Sequence, residues 1–136
     1  MGDPIYMDTS ALVKLVARED QSADIRQFLN QPSAQVVSSQ ITEIELLRAI
    51  ARHDEGLTNL GLEILAQTVL LPMTTSMRLR ASYLKPEPLR SLDAIHVATA
   101  LEIQSDLEYF VTYDKRLLEA ASSVGLRVVS PGVSQH

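Results

Sequence analysis

The sequence contains no cysteine, which excludes disulfide bonds, thiolate metal ligands and cysteine nucleophiles. Long apolar runs are also missing, because no stretch approaches the roughly 18 consecutive apolar residues that a membrane-spanning helix requires. The N-terminus lacks the charged region, apolar region and small-residue cleavage site of a signal peptide. We therefore expect the protein to stay in the cytoplasm, without a membrane as partner.

Basic charge is scarce as well. The 136 residues contain 12 Lys and Arg against 17 Asp and Glu, a net charge of −5. Proteins that bind nucleic acids usually carry a basic footprint, so this balance argues against broad electrostatic binding of a long nucleic acid. It does not argue against metal-mediated cleavage of a small structured one, because two bound divalent cations would reverse the local charge where a phosphate must lie.

The sequence does contain short apolar runs that alternate with helical patterns. Its length fits one domain, residues 1–136, and its composition of 46% hydrophobic and 21% charged residues is globular. The predicted strands cover residues 5–7, 35–38, 69–73, 108–112 and 127–129. The predicted helices include 22–29, 41–52, 57–67, 76–84 (closed by the proline-containing segment 85–88), 91–104 and 115–124. We therefore predict an α/β fold with a central, mostly parallel sheet of four or five strands, covered by helices on both faces.

Four acidic residues occupy positions where this topology gathers functional groups. Asp8 follows the first predicted strand and Asp114 the fourth. Glu45 lies near the start of the helix after the second strand, and Asp93 in the first turn of another helix. Each acid alone has an ordinary explanation as a helix cap or a charge that favours the helix dipole. Capping does not explain why all four approach the carboxyl edge of one parallel sheet, where ligands bind; we call them the acidic cluster.

Carboxylate oxygens suit Mg²⁺ and Mn²⁺, which are hard cations that keep several waters. Two such ions, roughly 3.5–4 Å apart, activate a water and stabilise the leaving oxygen of a phosphodiester. Without metal, repulsion should destabilise the cluster and leave at least one acid protonated. Ser10 and Thr112, each two residues from an acid, are predicted to hold the carboxylates or bound waters.

Four segments of this sequence resemble motifs of PIN-domain proteins, specifically the VapC toxins of prokaryotic toxin–antitoxin pairs. They are IYMDTSALVK (5–14), SQITEIELLRA (39–49), LRSLDAIHVATAL (89–101) and FVTYDKRL (110–117). The motifs follow the family's order, and the resemblance extends from residue 5 to about 130. In the second motif the acid stands three residues after the threonine, which selects Glu45. The competing Glu43 should be exposed, because two residues on a helix differ by about 200°.

The resemblance implies a PIN fold and a Mg²⁺- or Mn²⁺-dependent endoribonuclease that acts through the acidic cluster. It also implies a homodimer and a VapB-like antitoxin whose C-terminal segment covers the active cleft. DNA would be a partner only indirectly, through operator binding by the toxin–antitoxin complex. The alternative is a catalytically silent PIN-like scaffold that binds RNA or a protein. A P-loop NTPase is excluded because its phosphate-binding motif is absent.

Several other side chains have two possible roles. Lys115 and Arg116, next to Asp114, are the favoured candidates for binding RNA phosphates, although they also fit ordinary surface charges. His96 lies three residues after Asp93. We interpret it as a packed or hydrogen-bonded histidine and not as a general base, because two-metal chemistry generates its own hydroxide. Tyr6 is predicted to pack in the core.

Overall fold

The computed structural model describes residues 3–85 and 89–134. In these residues the strands are β1 (Asp3–Met7), β2 (Ala34–Ser39), β3 (Val69–Leu71), β4 (Tyr109–Val111) and β5 (Val128–Val129). The α-helices are α1 (Thr9–Val16), α2 (Ser22–Leu29), α3 (Gln40–His53), α4 (Thr58–Ala66), α5 (Thr75–Ser82), α6 (Ser91–Glu102) and α7 (Lys115–Ser123). A 3₁₀ turn, Glu55–Leu57, joins α3 to α4.

The sheet has five strands in the order β3-β2-β1-β4-β5, and all four pairings are parallel. Residues of the central strand β1 pair on both sides, with Ile5 opposite Val36 of β2 and Met7 opposite Val111 of β4. Strands β2 and β3 lie on one side of β1, and strands β4 and β5 lie on the other. The strand order therefore reverses between β1 and β4, and their carboxyl ends border the crevice where ligands of open parallel sheets bind.

Side chains of β1 alternate between two apolar cores, as the period of an extended strand requires. Ile5 and Met7 join a cluster that includes Leu12 of α1 and Leu46 of α3. Tyr6 points to the opposite face, in a cluster with side chains of α6 and α7. Helices thus cover both faces of the sheet, which confirms the predicted α/β class. Tyr6 is fully buried, as predicted.

Several predicted elements end earlier in the structure, the third strand and α5 among them. The third strand was expected to extend to Met73 but ends at Leu71, directly before Pro72, which has no N–H to donate to a sheet ladder. Helix α5 ends at Ser82, two residues before its predicted end. Residues 86–88 of the predicted closing segment lie outside the described residues. Among the residues that are described, no helix is long and apolar enough to cross a membrane.

Candidate active site

Asp8 lies at the carboxyl end of the central strand, where the chain turns into α1. Its Oδ1 accepts a hydrogen bond from the Ala11 backbone N–H at 3.1 Å, so Asp8 is the N-cap of the helix. Two hydroxyls also reach the carboxylate: Ser10 at 2.8 Å from Oδ1, and Thr112 at 2.9 Å from Oδ2. The side chain is 4% exposed. Asp8 is therefore a buried acid with donors on both of its oxygens.

The same two hydroxyls connect Asp8 to the segment that follows β4. Ser10 Oγ accepts from the Tyr113 N–H at 2.9 Å, and Thr112 Oγ1 accepts from the Asp114 N–H at 3.1 Å. Each hydroxyl thus has its hydrogen free to donate to Asp8. The predicted partners Ser10 and Thr112 therefore link the ends of β1 and β4.

Burial raises the pKa of Asp8 above its ordinary value. The opposing influences are the charge of His96 and the hydrogen bonds from Ser10, Thr112 and the Ala11 N–H, and together they do not cancel the effect of burial. An ionised Asp8 is consequently costly in the metal-free protein, and a nearby cation would relieve that cost.

Asp114 follows β4 and is the N-cap of α7. Its Oδ1 accepts from the backbone N–H groups of Arg116 at 2.9 Å and Leu117 at 3.3 Å. The side chain is exposed. Asp114 is therefore an exposed acid, one oxygen of which caps a helix.

Asp93 lies in the first turn of α6 and is partly buried. Its pKa is raised, first by burial and then by the negative charge of Asp114, with a smaller contribution from Glu45. The positive charges of His96 and Arg90 oppose this rise. Asp93 thus lies within the electrostatic influence of Asp114 and Glu45.

Glu45 lies in α3 and is partly buried, whereas Glu43 is exposed, as predicted. Glu45 Oε1 accepts from Thr9 Oγ1 at 2.7 Å and lies 2.9 Å from His96 Nε2. Burial alone would raise the pKa of Glu45. The hydrogen bond and charge of His96, with the hydrogen bond from Thr9, outweigh burial, so the pKa lies below its ordinary value.

His96 is buried between two polar partners. Its Nδ1 lies 2.7 Å from Tyr6 Oη, and its Nε2 contacts Glu45. The interpretation of His96 as a packed, hydrogen-bonded histidine is therefore confirmed. The contacts of Glu45 with His96 and Thr9 were not foreseen from the sequence. Thr9 directly follows Asp8, and His96 lies one helical turn from Asp93, so closeness to the predicted acids was the available signal.

The four acids of the acidic cluster lie at one edge of the sheet. Within residues 3–85 and 89–134, no three Asp, Glu or His side chains form a ready-made metal-binding group. The donors nevertheless fit a hard cation, since they are carboxylate oxygens and Mg²⁺ uses few protein ligands while it keeps several waters.

The residues predicted to contact RNA lie on different sides of α7. Arg116 and Arg90 line, together with Asp93, a cleft of about 600 Å³. Lys115 lines a separate pocket of about 300 Å³, with Asp114 and the C-terminal segment around Ser130. The arginines therefore share a cleft with Asp93, and Lys115 does not.

Fold and site place this chain among α/β proteins that carry several carboxylates at the carboxyl edge of a parallel sheet. The chain belongs to the PIN domain family, whose family model matches residues 5–122. The predicted family resemblance is thereby confirmed.

Known proteins similar to this chain include Ribonuclease VapC47 from Mycobacterium tuberculosis, which is 41% identical over 132 residues and covers 94% of this chain and 97% of the relative. Ribonuclease VapC46 from the same species is 39% identical over 127 residues, with 93% and 97% coverage. The crystal structure of Mycobacterium tuberculosis VapC20, a sarcin–ricin loop cleaving toxin, has a TM-score of 0.70 at 16% identity, covering 93% of this chain and 99% of that chain. A toxin–antitoxin complex from Klebsiella pneumoniae has a TM-score of 0.69 at 21% identity, with 93% and 97% coverage. These two structures agree with the fold described above.

Proposed function

We propose that this protein is a divalent-metal-dependent endoribonuclease, the toxin of a toxin–antitoxin pair, and that the 136 residues act as one nuclease domain. The observation that carries the proposal is the buried Asp8, whose raised pKa marks a carboxylate that gains from a cation. Relatives of 39–42% identity over most of the chain are named ribonucleases, which supports RNA as the substrate.

The acidic cluster would hold Mg²⁺ or Mn²⁺. When bound, the metal supplies an activated water and stabilises the charge that develops on the phosphodiester oxygens. Asp8 is preorganised for this role, because the Ala11 N–H and the hydroxyls of Ser10 and Thr112 fix its carboxylate. Asp114 is fixed through the N–H groups at the start of α7. The protein thus contributes carboxylates whose directions are set before substrate binds.

The cleft beside Asp93 is the best candidate for the path of the RNA. Its two guanidinium groups, Arg90 and Arg116, are exposed, and neither forms an ion pair within 4 Å among the described residues. Arginine binds phosphate through a planar fork of donors. We therefore favour Arg116 with Arg90 as the phosphate contacts. Lys115 would contact RNA only further from Asp93.

We also propose a VapB-like antitoxin as the partner and a homodimer as the working assembly. Structures of VapBC pairs from Rickettsia felis and Salmonella typhimurium, both determined with bound DNA, share this fold at TM-scores of 0.69 and 0.63. In this proposal the antitoxin contributes the DNA-binding part, and the protein acts in the cytoplasm. Co-expression with a candidate VapB-like antitoxin, followed by sedimentation of the purified complex, tests both assemblies.

A catalytically silent scaffold is the second candidate. Its favouring observation is that the described carboxylates do not already form a metal-binding group. The scaffold would bind RNA or a protein partner without metal, so its affinity would not change on adding EDTA.

The deciding experiment is cleavage of total cellular RNA by the purified protein in EDTA, Mg²⁺ or Mn²⁺. We expect discrete products that require metal and that are lost in Asp93→Asn. The matched control is Glu43→Gln, which removes an exposed acid from the same helix as Glu45 but from its other side and should cleave normally. Equal cleavage by wild type and Asp93→Asn would refute the proposed site, and RNA binding without cleavage under any metal would favour the scaffold.

A further inference from the structure

Within residues 3–85 and 89–134, hydrogen bonds reach only one of the two carboxylate oxygens of Glu45. Oε1 receives the Thr9 hydroxyl at 2.7 Å and His96 Nε2 at 2.9 Å. In the described part of the chain, no side chain or backbone group bonds to Oε2. The carboxylate is therefore asymmetric, with one anchored oxygen and one that remains available to a ligand.

The anchor is a buried histidine whose own orientation is determined on both sides. His96 is 3% exposed, and its two ring nitrogens face Tyr6 and Glu45 at 2.7 and 2.9 Å. An ionised carboxylate only accepts hydrogen bonds, so Nε2 carries a hydrogen whether the ring is neutral or charged. Rotation of the ring would break both contacts at once.

Tyr6 fixes the other side of the histidine. It is fully buried in the central strand, and its ring stacks on Phe110 of β4 at a centroid distance of 5.0 Å. The Tyr6 hydroxyl, which is neutral at physiological pH, lies 2.7 Å from Nδ1 and is its hydrogen-bond partner. The contact series Tyr6–His96–Glu45 therefore connects β1, α6 and α3 across the acidic edge.

We propose that His96 is a positioning residue for the proposed metal site: with Tyr6 behind it, His96 holds Glu45 by Oε1 and leaves Oε2 as the oxygen that would bind a divalent cation. This inference rests on the proposed function, because it requires Glu45 to be a metal ligand. Any buried histidine needs partners for its ring nitrogens, but an apolar side chain would fill the same space without the cost of burying a polar ring.

The test compares variants by Mn²⁺ binding, measured from the electron paramagnetic resonance signal of free Mn²⁺ in the absence of RNA. His96→Met replaces the ring by an apolar side chain of similar size that has no N–H to donate to Glu45. We expect a loss of Mn²⁺ affinity of roughly 10- to 100-fold, as for other residues that orient metal ligands. His96→Gln places an amide N–H near the position of Nε2 and should recover most of the affinity. Tyr6→Phe removes only the distal hydroxyl and should give a smaller loss of the same sign.

Glu45→Gln provides the reference for the whole series. If His96 acts through Glu45, adding His96→Met to Glu45→Gln should cause little further loss, whereas independent effects would add. Thermal melting in EDTA checks that each variant is folded. If His96→Met does not fold, His96→Gln and Tyr6→Phe test the positioning role instead, each made both with wild-type Glu45 and with Glu45→Gln.

Two failures can be told apart. Wild-type Mn²⁺ affinity in His96→Met, with a clear loss in Glu45→Gln, would overturn the positioning role and leave the proposed metal site standing. Wild-type Mn²⁺ affinity in Glu45→Gln would remove Glu45 from the metal site, and the inference about His96 would fall with it. Equal losses in His96→Met and His96→Gln would also count against positioning, because rescue by the restored donor is what it requires.

Discussion

Replacing Asp8 by asparagine should stabilise the metal-free protein and abolish its response to metal. Burial raises the pKa of Asp8, so its ionised form opposes folding at neutral pH. Asparagine is neutral and nearly the same shape, and its Oδ1 can still accept from the Ala11 N–H. Its amide would meet Thr112, whose hydroxyl can turn towards Ser10, 3.2 Å away. The helix cap survives while the buried charge is removed.

Asp8→Ala gives the scale of the effect, because it removes the charge and the cap together. Loss of an N-cap costs about 1 kcal/mol, and leaving buried donors short of partners costs roughly 1–3 kcal/mol more. The alanine variant should therefore be roughly 2–4 kcal/mol less stable than the asparagine variant, or roughly 6–16 °C lower in Tm for a chain of this length.

The assay is thermal melting of all three proteins in EDTA and again with Mn²⁺. Metal at 100 times its dissociation constant would stabilise the wild type by about 2.7 kcal/mol, or roughly 8–11 °C. We expect Asp8→Asn to melt above the wild type in EDTA and below it in Mn²⁺, with Asp8→Ala lowest in EDTA. An Asp8→Asn variant that melts well below the wild type in EDTA would refute the reasoning about the buried charge.

The pH dependence has a definite sign. Because the pKa of Asp8 is raised on folding, the associated stability is complete below the unfolded-state pKa, about 3.9, and is lost as pH rises through the folded-state pKa. In EDTA the Tm advantage of Asp8→Asn should therefore be absent in acid and grow towards neutral pH. A Tm difference between Asp8→Asn and the wild type that stays constant from acid to neutral pH would contradict the raised pKa of Asp8.

Three further outcomes follow from the site and the fold. Asp93→Asn should lower the cleavage rate by at least 100-fold with an unchanged circular dichroism spectrum, because it removes a negative charge from the proposed metal site, while Glu43→Gln should cleave within about twofold of wild type. In the Asp93→Asn background, Arg116→Ala should weaken RNA binding, measured by fluorescence anisotropy, more than Lys115→Ala does, because only Arg116 lines the cleft with Asp93; the reverse order would refute the proposed path. Gly125→Ala should lower stability by roughly 1 kcal/mol or more in urea unfolding, because Gly125 has a φ of 92°.

The positions of the acids were predictable because they follow from local rules. Asp8 and Asp114 each come directly after a short apolar run and directly before a helical pattern, so each had to lie at a carboxyl end of a parallel strand. The choice of Glu45 over Glu43 as the inward acid depended on the resemblance, and the exposure of Glu43 agrees with it.

The contacts around Glu45 were not predictable from such rules. Tyr6 and His96 are 90 residues apart, and His96 and Glu45 are 51 apart, so their distances depend on how α6 packs against the sheet. The separation of Lys115 from Arg116 has a similar origin. Neighbouring residues on a helix differ by about 100°, and which of them faces the cleft depends on the face of α7 that is buried.

Asp8 and Asp114 both cap helices and are both proposed metal ligands. The capping role affects how tightly an ion would be bound. A helix N-terminus carries about half a positive charge, so each of these carboxylates is partly neutralised by N–H groups before a cation arrives. Because the N–H groups and the cation compete for the same carboxylate charge, we expect an ion that exchanges quickly with solvent and is not held permanently. We therefore expect occupancy to follow the free concentration of divalent cations, which would make the cell's supply of magnesium or manganese a control on activity.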